Sequence, residues 1–276
     1  MPLAYARELL AAAEAGGYAV PGFNVSNIEL ALGVLDAAQA RRAPVLLQFN
    51  PANLEHFGGL AVAAATARAL AAQASVPVGV HLDHGPSVSL LKGAVLAGFT
   101  SLMFDGSTTP FERNLRETRE AYAVALEAGL SLEAELGHVG GREPGVATSE
   151  SVLTDPVAAR RFVDETRVDS LAVSVGTAHG LAGAVRLDLI GDLRAATHGL
   201  PLVLHGGSGV TPKDLTESVR AGIRKVNIST EIHSAFARAI GEVRGNDPRP
   251  ALGAARAAVA EAAAQRIELL GAARRA

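Results

Sequence analysis

The sequence predicts an α/β fold, namely a closed (β/α)8 TIM barrel with an extra N-terminal helix and a C-terminal helical extension. Short apolar segments alternate with amphipathic segments along all 276 residues. The apolar segments are hydrophobic throughout, as in parallel strands that are buried on both faces. About eight such strand and helix pairs are expected in a closed barrel of roughly 250 residues. We therefore predict one barrel domain over residues 1–276.

The elements can be placed in order along the chain. The predicted strands are Tyr18–Asn24, Pro44–Asn50, Val78–Leu82, Thr100–Phe104, Ser131–Leu136, Ser170–Val175, Leu202–Leu204 and Lys225–Ile228. The predicted helices, with apolar residues three and four apart, are Asn27–Ala40, Gly59–Ala74, Ser87–Ala97, Pro110–Ala128, Pro156–Thr166, Asp188–His198, Pro212–Ala221 and Glu231–Val243. A leading helix over Tyr5–Ala15 and a trailing helix over Arg249–Leu270 flank this set. The alternative, an open doubly wound sheet, favours a glycine-rich turn after the first strand, whereas this turn reads Phe23-Asn24-Val25-Ser26.

The composition excludes several classes of protein. Lys and Arg number 25 against 28 Asp and Glu, so the net charge of −3 gives neither the basic face of a nucleic-acid-binding protein nor a polybasic membrane signal. The sequence contains no Cys, which excludes disulfides and thiolate metal sites. The N-terminus lacks the features of a secretory signal peptide. We expect a cytoplasmic protein whose metal ligands, where it has any, are His, Asp or Glu.

Polar residues follow the apolar strands at their carboxyl ends, where barrel enzymes place their chemistry. In chain order they are Asn24, Gln48, Asn50, Asp83, His84, Asp105, Ser107, Glu133, Glu135, His179, His205, Asn227 and Ser229. Solvation of strand ends explains any one of these residues but not the whole set. Three of them are histidines that follow the third, sixth and seventh strands. Three imidazoles on one rim match the open ligand set of a catalytic Zn²⁺ ion.

A second cluster, HGGSGVTP over His205–Pro212, indicates a phosphate site. Its glycines allow close approach of a ligand, and Thr211-Pro212 begins a helix whose first amides favour an anion. The eighth strand also ends at a helix start, and phosphate sites in this fold commonly follow strands seven and eight. Lys225 is the one candidate for a Schiff base, and its depth in the barrel favours metal-assisted chemistry instead.

Six short motifs then occur in a fixed order. They are HLDHG (His81–Gly85), MFDGS (Met103–Ser107), EAELG (Glu133–Gly137), GTAHG (Gly176–Gly180), LHGGSG (Leu204–Gly209) and KVNISTE (Lys225–Glu231). Together they resemble the class II, zinc-dependent fructose-bisphosphate/tagatose-bisphosphate aldolase family over nearly the whole chain. The compact length resembles the tagatose-type branch.

The resemblance implies a reaction and its catalytic residues. It implies reversible aldol cleavage of a ketose phosphate or bisphosphate to dihydroxyacetone phosphate and an aldehyde such as glyceraldehyde 3-phosphate. His84, His179 and His205 would bind Zn²⁺, which polarises the ketone and stabilises its enediolate. Asp83 matches the aspartate that handles the proton at the aldehyde or hydroxyl oxygen. Glu143, on the long loop Gly137–Leu153, matches the residue that moves the C–H proton.

The resemblance also implies the remaining site residues and the assembly. Asp105 and Glu135 match a secondary metal position, so a second divalent ion or a monovalent cation is a further candidate cofactor. The residues matched to substrate and phosphate binding are Asn24, Gly180, Gly206, Ser208, Asn227, Ser229, Thr230 and Arg249. Arg249 matches an arginine that reaches the site of a neighbouring subunit. We therefore expect a homodimer or homotetramer that binds a small sugar phosphate and neither nucleic acid nor membrane.

One departure from the family pattern keeps alternatives open. After GTAHG the family commonly continues with Tyr and Lys, whereas this chain continues with Leu181-Ala182-Gly183. A basic group near the donor phosphate is therefore missing. A relative that uses a keto-acid or an unphosphorylated ketone as donor, and a non-catalytic metal-binding barrel, are the alternative hypotheses.

Overall fold

The chain folds into a closed barrel of parallel strands, which confirms the predicted fold class. The structure, a computed structural model, describes residues 2–141, 151–181 and 183–276. The strands are β1 (Val20–Asn24), β2 (Val45–Phe49), β3 (Val78–Gly85), β4 (Ser101–Phe104), β5 (Ser131–Leu136), β6 (Ser170–Val173), β7 (Leu202–Leu204) and β8 (Ile223–Ile228). Each strand pairs in parallel with the next, and β8 pairs with β1, with Asn227 opposite Gly22. The carboxyl ends of all strands therefore meet on one rim.

Helices surround the barrel. Within the described residues they are α1 (Ala6–Gly16), α2 (Ile28–Arg41), α3 (Pro51–Phe57), α4 (Leu60–Gln73), α5 (Val88–Ala97), α6 (Phe111–Glu127), α7 (Pro156–Thr166), α8 (Leu187–Ala196), α9 (Pro212–Ala221), α10 (Thr230–Glu242) and α11 (Pro248–Leu269). The side chains of Ser87, Asp155 and Thr211 cap α5, α7 and α9, as their positions before each helix predict. No helix in the described part of the chain is long and apolar enough to cross a membrane.

Two differences from the predicted elements lie next to the rim. Helix α3 was not predicted, because seven residues are too few to establish a helical period. Asn50 begins it, with its side chain accepting from the Asn53 amide while the Asn53 side chain accepts from the Asn50 amide. Strand β3 extends past Leu82 to Gly85.

The interior of the barrel is polar. Barrels of this kind are usually filled by branched apolar side chains. Here Met103, Ala172 and Val203 form a small apolar cluster separate from the main core. Beside them lie Lys225 and Glu133, whose Nζ and Oε2 atoms are 2.7 Å apart and almost completely buried. The main core lies outside the strands, between them and the helices.

The trailing helix α11 packs along α2 and α10. At the closest approach to α2 a glycine, Gly33, replaces a larger residue. A Cβ atom there would lie 2.7 Å from the Arg256 carbonyl oxygen and 2.8 Å from the Val259 side chain. The docking of α11 therefore requires a residue without a side chain at this position.

Replacing Gly33 by Val should lower the free energy of unfolding by about 1–3 kcal/mol, because the added side chain overpacks the contact between α2 and α11. Chemical denaturation of the two proteins measures this difference. Gly191→Ala in α8 is the matched control, since no atom lies within 4 Å of a Cβ there. Equal stability of Gly33→Val and the unmodified protein would show that α11 does not pack tightly on α2.

Candidate active site

Three histidines from different strands converge on the rim. One ring nitrogen each of His84, His179 and His205 lies within 4.8 Å of the others. All three are buried, and their ring centroids are 4.7–5.8 Å apart. The sequence places them 95 and 26 residues apart, so only closure of the barrel brings them together.

His84 is oriented by its backbone and by Asp105. Its φ of 46° lies in the left-handed region, and the pairing of β3 with β4 shifts register between Leu82 and Gly85. Its Nδ1 atom lies 2.7 Å from Oδ2 of Asp105. A carboxylate only accepts hydrogen bonds, so Nδ1 donates and Nε2 faces the cluster. That Nε2 atom is 3.0 Å from Nδ1 of His205.

His205 is oriented by a carboxylate inside the barrel. Its Nε2 atom lies 3.1 Å from Oε1 of Glu133, and the other oxygen of Glu133 accepts from Lys225. Burial lowers the pKa of His205 well below its usual value, so the neutral ring donates from Nε2 and turns the Nδ1 lone pair toward His84. Such a carboxylate behind a metal-binding histidine is a recurring support. The sequence offered one indication of Glu133, since it lies two residues before Glu135 and so on the same face of β5.

A second group of potential ligands adjoins the first. His84, Asp105 and Glu135 each offer an atom within 4.8 Å of the others. Burial and the nearby Asp105 raise the pKa of Glu135 to about 8, and its Oε2 atom is buried without a hydrogen-bond partner in the described part of the chain. Burial opposes ionisation of Asp105 too, but the hydrogen bond from His84 holds its pKa well below the usual range.

The cluster stabilises positive charge. Burial alone would lower the pKa of His84, but Asp83 and Asp105 raise it well above its usual value. The described ligand atoms are imidazole nitrogens with nearby carboxylate oxygens, the donor set of zinc enzymes. A buried carboxylate oxygen without a partner and two ring nitrogens facing each other both fit a bound cation.

Asp83 lies beside the histidines and is held by two amides. Its Oδ2 atom accepts from Asn24 at 2.7 Å and its Oδ1 atom accepts from Asn227 at 2.9 Å. Although burial opposes ionisation, the neighbouring His84 and His205 keep the pKa of this carboxyl below its usual value. Asp83 is therefore an ionised, fixed carboxylate at the edge of the metal site.

A small polar cavity opens beside His179. Most of the residues predicted to bind phosphate line it: Gly180, Gly206, Ser208, Asn227, Ser229 and Thr230. The φ of Gly206 is 71°, and a Cβ there would lie 2.7 Å from the Ala178 carbonyl oxygen, so only glycine lets these two loops meet. A wider groove between α10 and α11 is lined by alanines and charged residues and contains none of the three histidines.

Some predicted residues lie elsewhere. Asn24 contacts Asp83 rather than the cavity. Arg249 is exposed at the start of α11 and pairs with Asp247. Glu143 lies outside the described residues. The beginning of its loop is fixed to the site, because the Gly140 carbonyl accepts from the His179 amide.

His138 differs from its sequence-based interpretation. Its place in the long loop predicted an exposed side chain, but it is 5% exposed. Its Nδ1 atom lies 3.0 Å from the Ser107 hydroxyl, and its backbone pairs with Val152. The loop therefore begins with a residue anchored beside Asp105, and no sequence spacing indicates that anchor.

Comparisons with known proteins agree with this geometry. The model of the family described as fructose-bisphosphate aldolase class-II matches residues 4–275. A fructose-bisphosphate aldolase of Staphylococcus aureus (strain Mu50) is 37% identical over 286 residues, covering 100% of both chains. One of Streptococcus pyogenes serotype M3 is 36% identical over 296 residues, again covering both chains completely.

Solved structures give the same result. The YdjI aldolase from Escherichia coli K12 superimposes with a TM-score of 0.89 at 34% identity, covering 99% of this chain and 98% of that chain. A putative fructose-1,6-biphosphate aldolase from Coccidioides immitis gives a TM-score of 0.88 at 28% identity, with 97% and 96% covered. The chain is an enzyme, a lyase, and it belongs to the class II fructose-bisphosphate aldolase family.

Proposed function

We propose that the chain catalyses the reversible aldol cleavage of a ketose phosphate or bisphosphate to dihydroxyacetone phosphate and an aldehyde. The main support is the convergence on one rim of the three histidines, the fixed carboxylate of Asp83 and the polar cavity that begins at His179. A substrate with a carbonyl near one end and a phosphate at the other matches this arrangement. A scaffold without activity would need no such combination.

We propose that His84, His179 and His205 hold the catalytic Zn²⁺ ion. The support is the burial of the rings and the two facing nitrogen atoms. The bound ion supplies electrophilic polarisation of the ketone carbonyl, which acidifies the adjacent C–H bond. Asp105 and Glu135 would complete a secondary position for a second divalent ion, while a monovalent cation is the other candidate.

The proton steps belong to carboxylates of this chain. Asp83 is ionised and held by Asn24 and Asn227, so it can accept the proton from the hydroxyl oxygen when the carbon–carbon bond breaks, and return it to the aldehyde oxygen in synthesis. Asn24 then lies close to the donor. Glu143, predicted from the family resemblance, would remove and return the C–H proton of the donor.

The phosphate would occupy the cavity at the start of α10. Its lining offers the hydroxyls of Ser208, Ser229 and Thr230, and the first amides of a helix favour an anion. No Lys or Arg is among the lining residues that the structure describes. Because of this feature, a keto-acid or an unphosphorylated ketone is the second candidate donor.

Further features of the proposal follow from the family resemblance. The tagatose-type branch is one, although the relatives compared above are named fructose-bisphosphate aldolases. Binding of a second phosphate by Arg249 of a neighbouring subunit, and thus a homodimer or homotetramer, is another. Residence in the cytoplasm completes the proposal.

The zinc-loaded protein should exchange the C3 hydrogen of dihydroxyacetone phosphate with solvent deuterium, because this half-reaction needs the metal, the base and the phosphate site but no aldehyde. NMR measures the exchange. A chelator should stop it and added zinc should restore it. His205→Ala should abolish exchange, whereas His198→Ala, which removes an exposed histidine paired with Asp164, should retain it.

Two outcomes would contradict parts of the proposal. Exchange with dihydroxyacetone but not with its phosphate would favour the second candidate donor. Absence of exchange with every ketone in a zinc-replete sample would exclude the proposed chemistry altogether.

Glu133→Gln should weaken zinc binding by about 10–100-fold, because the loss of a carboxylate behind a metal-binding histidine lowers the basicity of that ring and loosens its orientation. Competition with a chromophoric chelator measures the affinity without any need for activity. Glu112→Gln, at an exposed ion pair with Arg161, is the control and should bind zinc normally. Unchanged affinity in Glu133→Gln would show that Glu133 does not support His205.

A further inference from the structure

We infer that Arg266, on the trailing helix α11, is a positioning residue for the phosphate cavity and neutralises a carboxylate beside it. The inference rests on the proposed function, because it concerns the same cavity. None of the six motifs contains Arg266, and it follows Asn227 by 39 residues in the sequence. It acts through the residues that line the cavity rather than on the substrate.

The contacts of Arg266 all lead toward the cavity. Its side chain is 10% exposed, which is unusual for arginine unless the charge is paired. Its Nη2 atom donates to the carbonyl of Ser208 and its Nη1 atom to that of Val210, both at 3.4 Å. Its Nε atom donates to the carboxylate of Glu231. One guanidinium therefore joins the turn after β7 to the first turn of α10.

Ser208 is held from a second side. Its hydroxyl oxygen accepts from the amides of Ser229 and Glu231 at 3.2 and 3.3 Å. The start of α10 has no capping side chain of its own, so Ser208 serves as the cap. Both lone pairs of this oxygen are thus used, and its hydrogen remains to be donated to a ligand in the cavity. The carbonyl contact with Arg266 fixes the residue that presents this donor.

Charge gives Arg266 a second effect. Glu231 directly follows Thr230, a lining residue, and an unpaired carboxylate there would repel an anion. Arg266 is the partner that cancels this charge. Removing one member of a mostly buried ion pair leaves the other charge uncompensated. Since no described lining residue is basic, this compensation is important for binding a phosphate.

The test compares substitutions at Arg266 and Glu231 in the zinc-loaded protein. Arg266→Met should raise the half-saturating concentration of dihydroxyacetone phosphate in the deuterium-exchange assay, and the Kd of inorganic phosphate, by about ten-fold, as expected for loss of hydrogen bonds from a charged group. The maximal exchange rate and the zinc affinity should stay unchanged. Adding Glu231→Gln to this variant should restore much of the phosphate affinity, because it removes the uncompensated charge. Arg266→Lys, which keeps the charge but not the forked contacts, should lie between the two.

Two further variants keep the test informative. Arg256→Met removes an ion pair with Asp36 from the same helix, and it should leave phosphate binding unchanged. Glu231→Gln alone should tighten phosphate binding, and this variant tests the electrostatic part even if Arg266→Met folds poorly. Phosphate affinity can be followed without turnover through the rise of Tm with phosphate concentration.

The outcomes separate this inference from the proposed function. A wild-type protein that neither binds phosphate nor exchanges the donor hydrogen would overturn the proposed function. A wild-type protein that does both, with Arg266→Met equally active at low donor concentration, would overturn the role of Arg266. Weak phosphate binding in Arg266→Met that Glu231→Gln fails to restore would overturn the electrostatic part. Equal losses in Arg256→Met would assign the effect to the helix as a whole.

Discussion

The geometry of the rim depends on one buried ion pair inside the barrel, between Lys225 and Glu133. An isolated ammonium or carboxylate is costly to bury, so each must be satisfied where it lies. Lys225 takes one oxygen of Glu133, and the other oxygen faces His205. Burial keeps the pKa of the adjacent His81 well below its usual value, so this ring adds no competing charge. The pair therefore fixes which nitrogen of His205 faces the metal cluster.

The rest of the site is built from two opposite electrostatic demands. On one side carboxylates face the imidazoles and favour a cation. On the other side, hydroxyls and the start of α10 line a cavity suited to an anion. His179 belongs to both, since it is a member of the histidine cluster and also lines the cavity. A ketone that carries a phosphate satisfies both sides at once, which explains why one rim contains the two sites.

The sequence predicted the barrel and most of the rim because strand period and strand-end polarity are local signals. Helix α3 lacked such a signal, although Asn50 and Pro51 form a recognisable helix start. The support of His205 by Glu133 was also not predicted, since it connects residues 72 apart in the chain across the barrel interior. The same holds for Arg266, whose partner Ser208 is 58 residues away. Contacts of this kind are set by closure of the barrel and by docking of α11, neither of which has a sequence period.

The central claim is that the three histidines form a metal site, and anomalous diffraction at the zinc absorption edge tests it most directly. Crystals of the zinc-loaded protein should give a strong anomalous peak between the rings of His84, His179 and His205. A weaker peak next to Asp105 and Glu135 would be compatible with the secondary position. A zinc-replete crystal without a peak among the three rings would contradict the account.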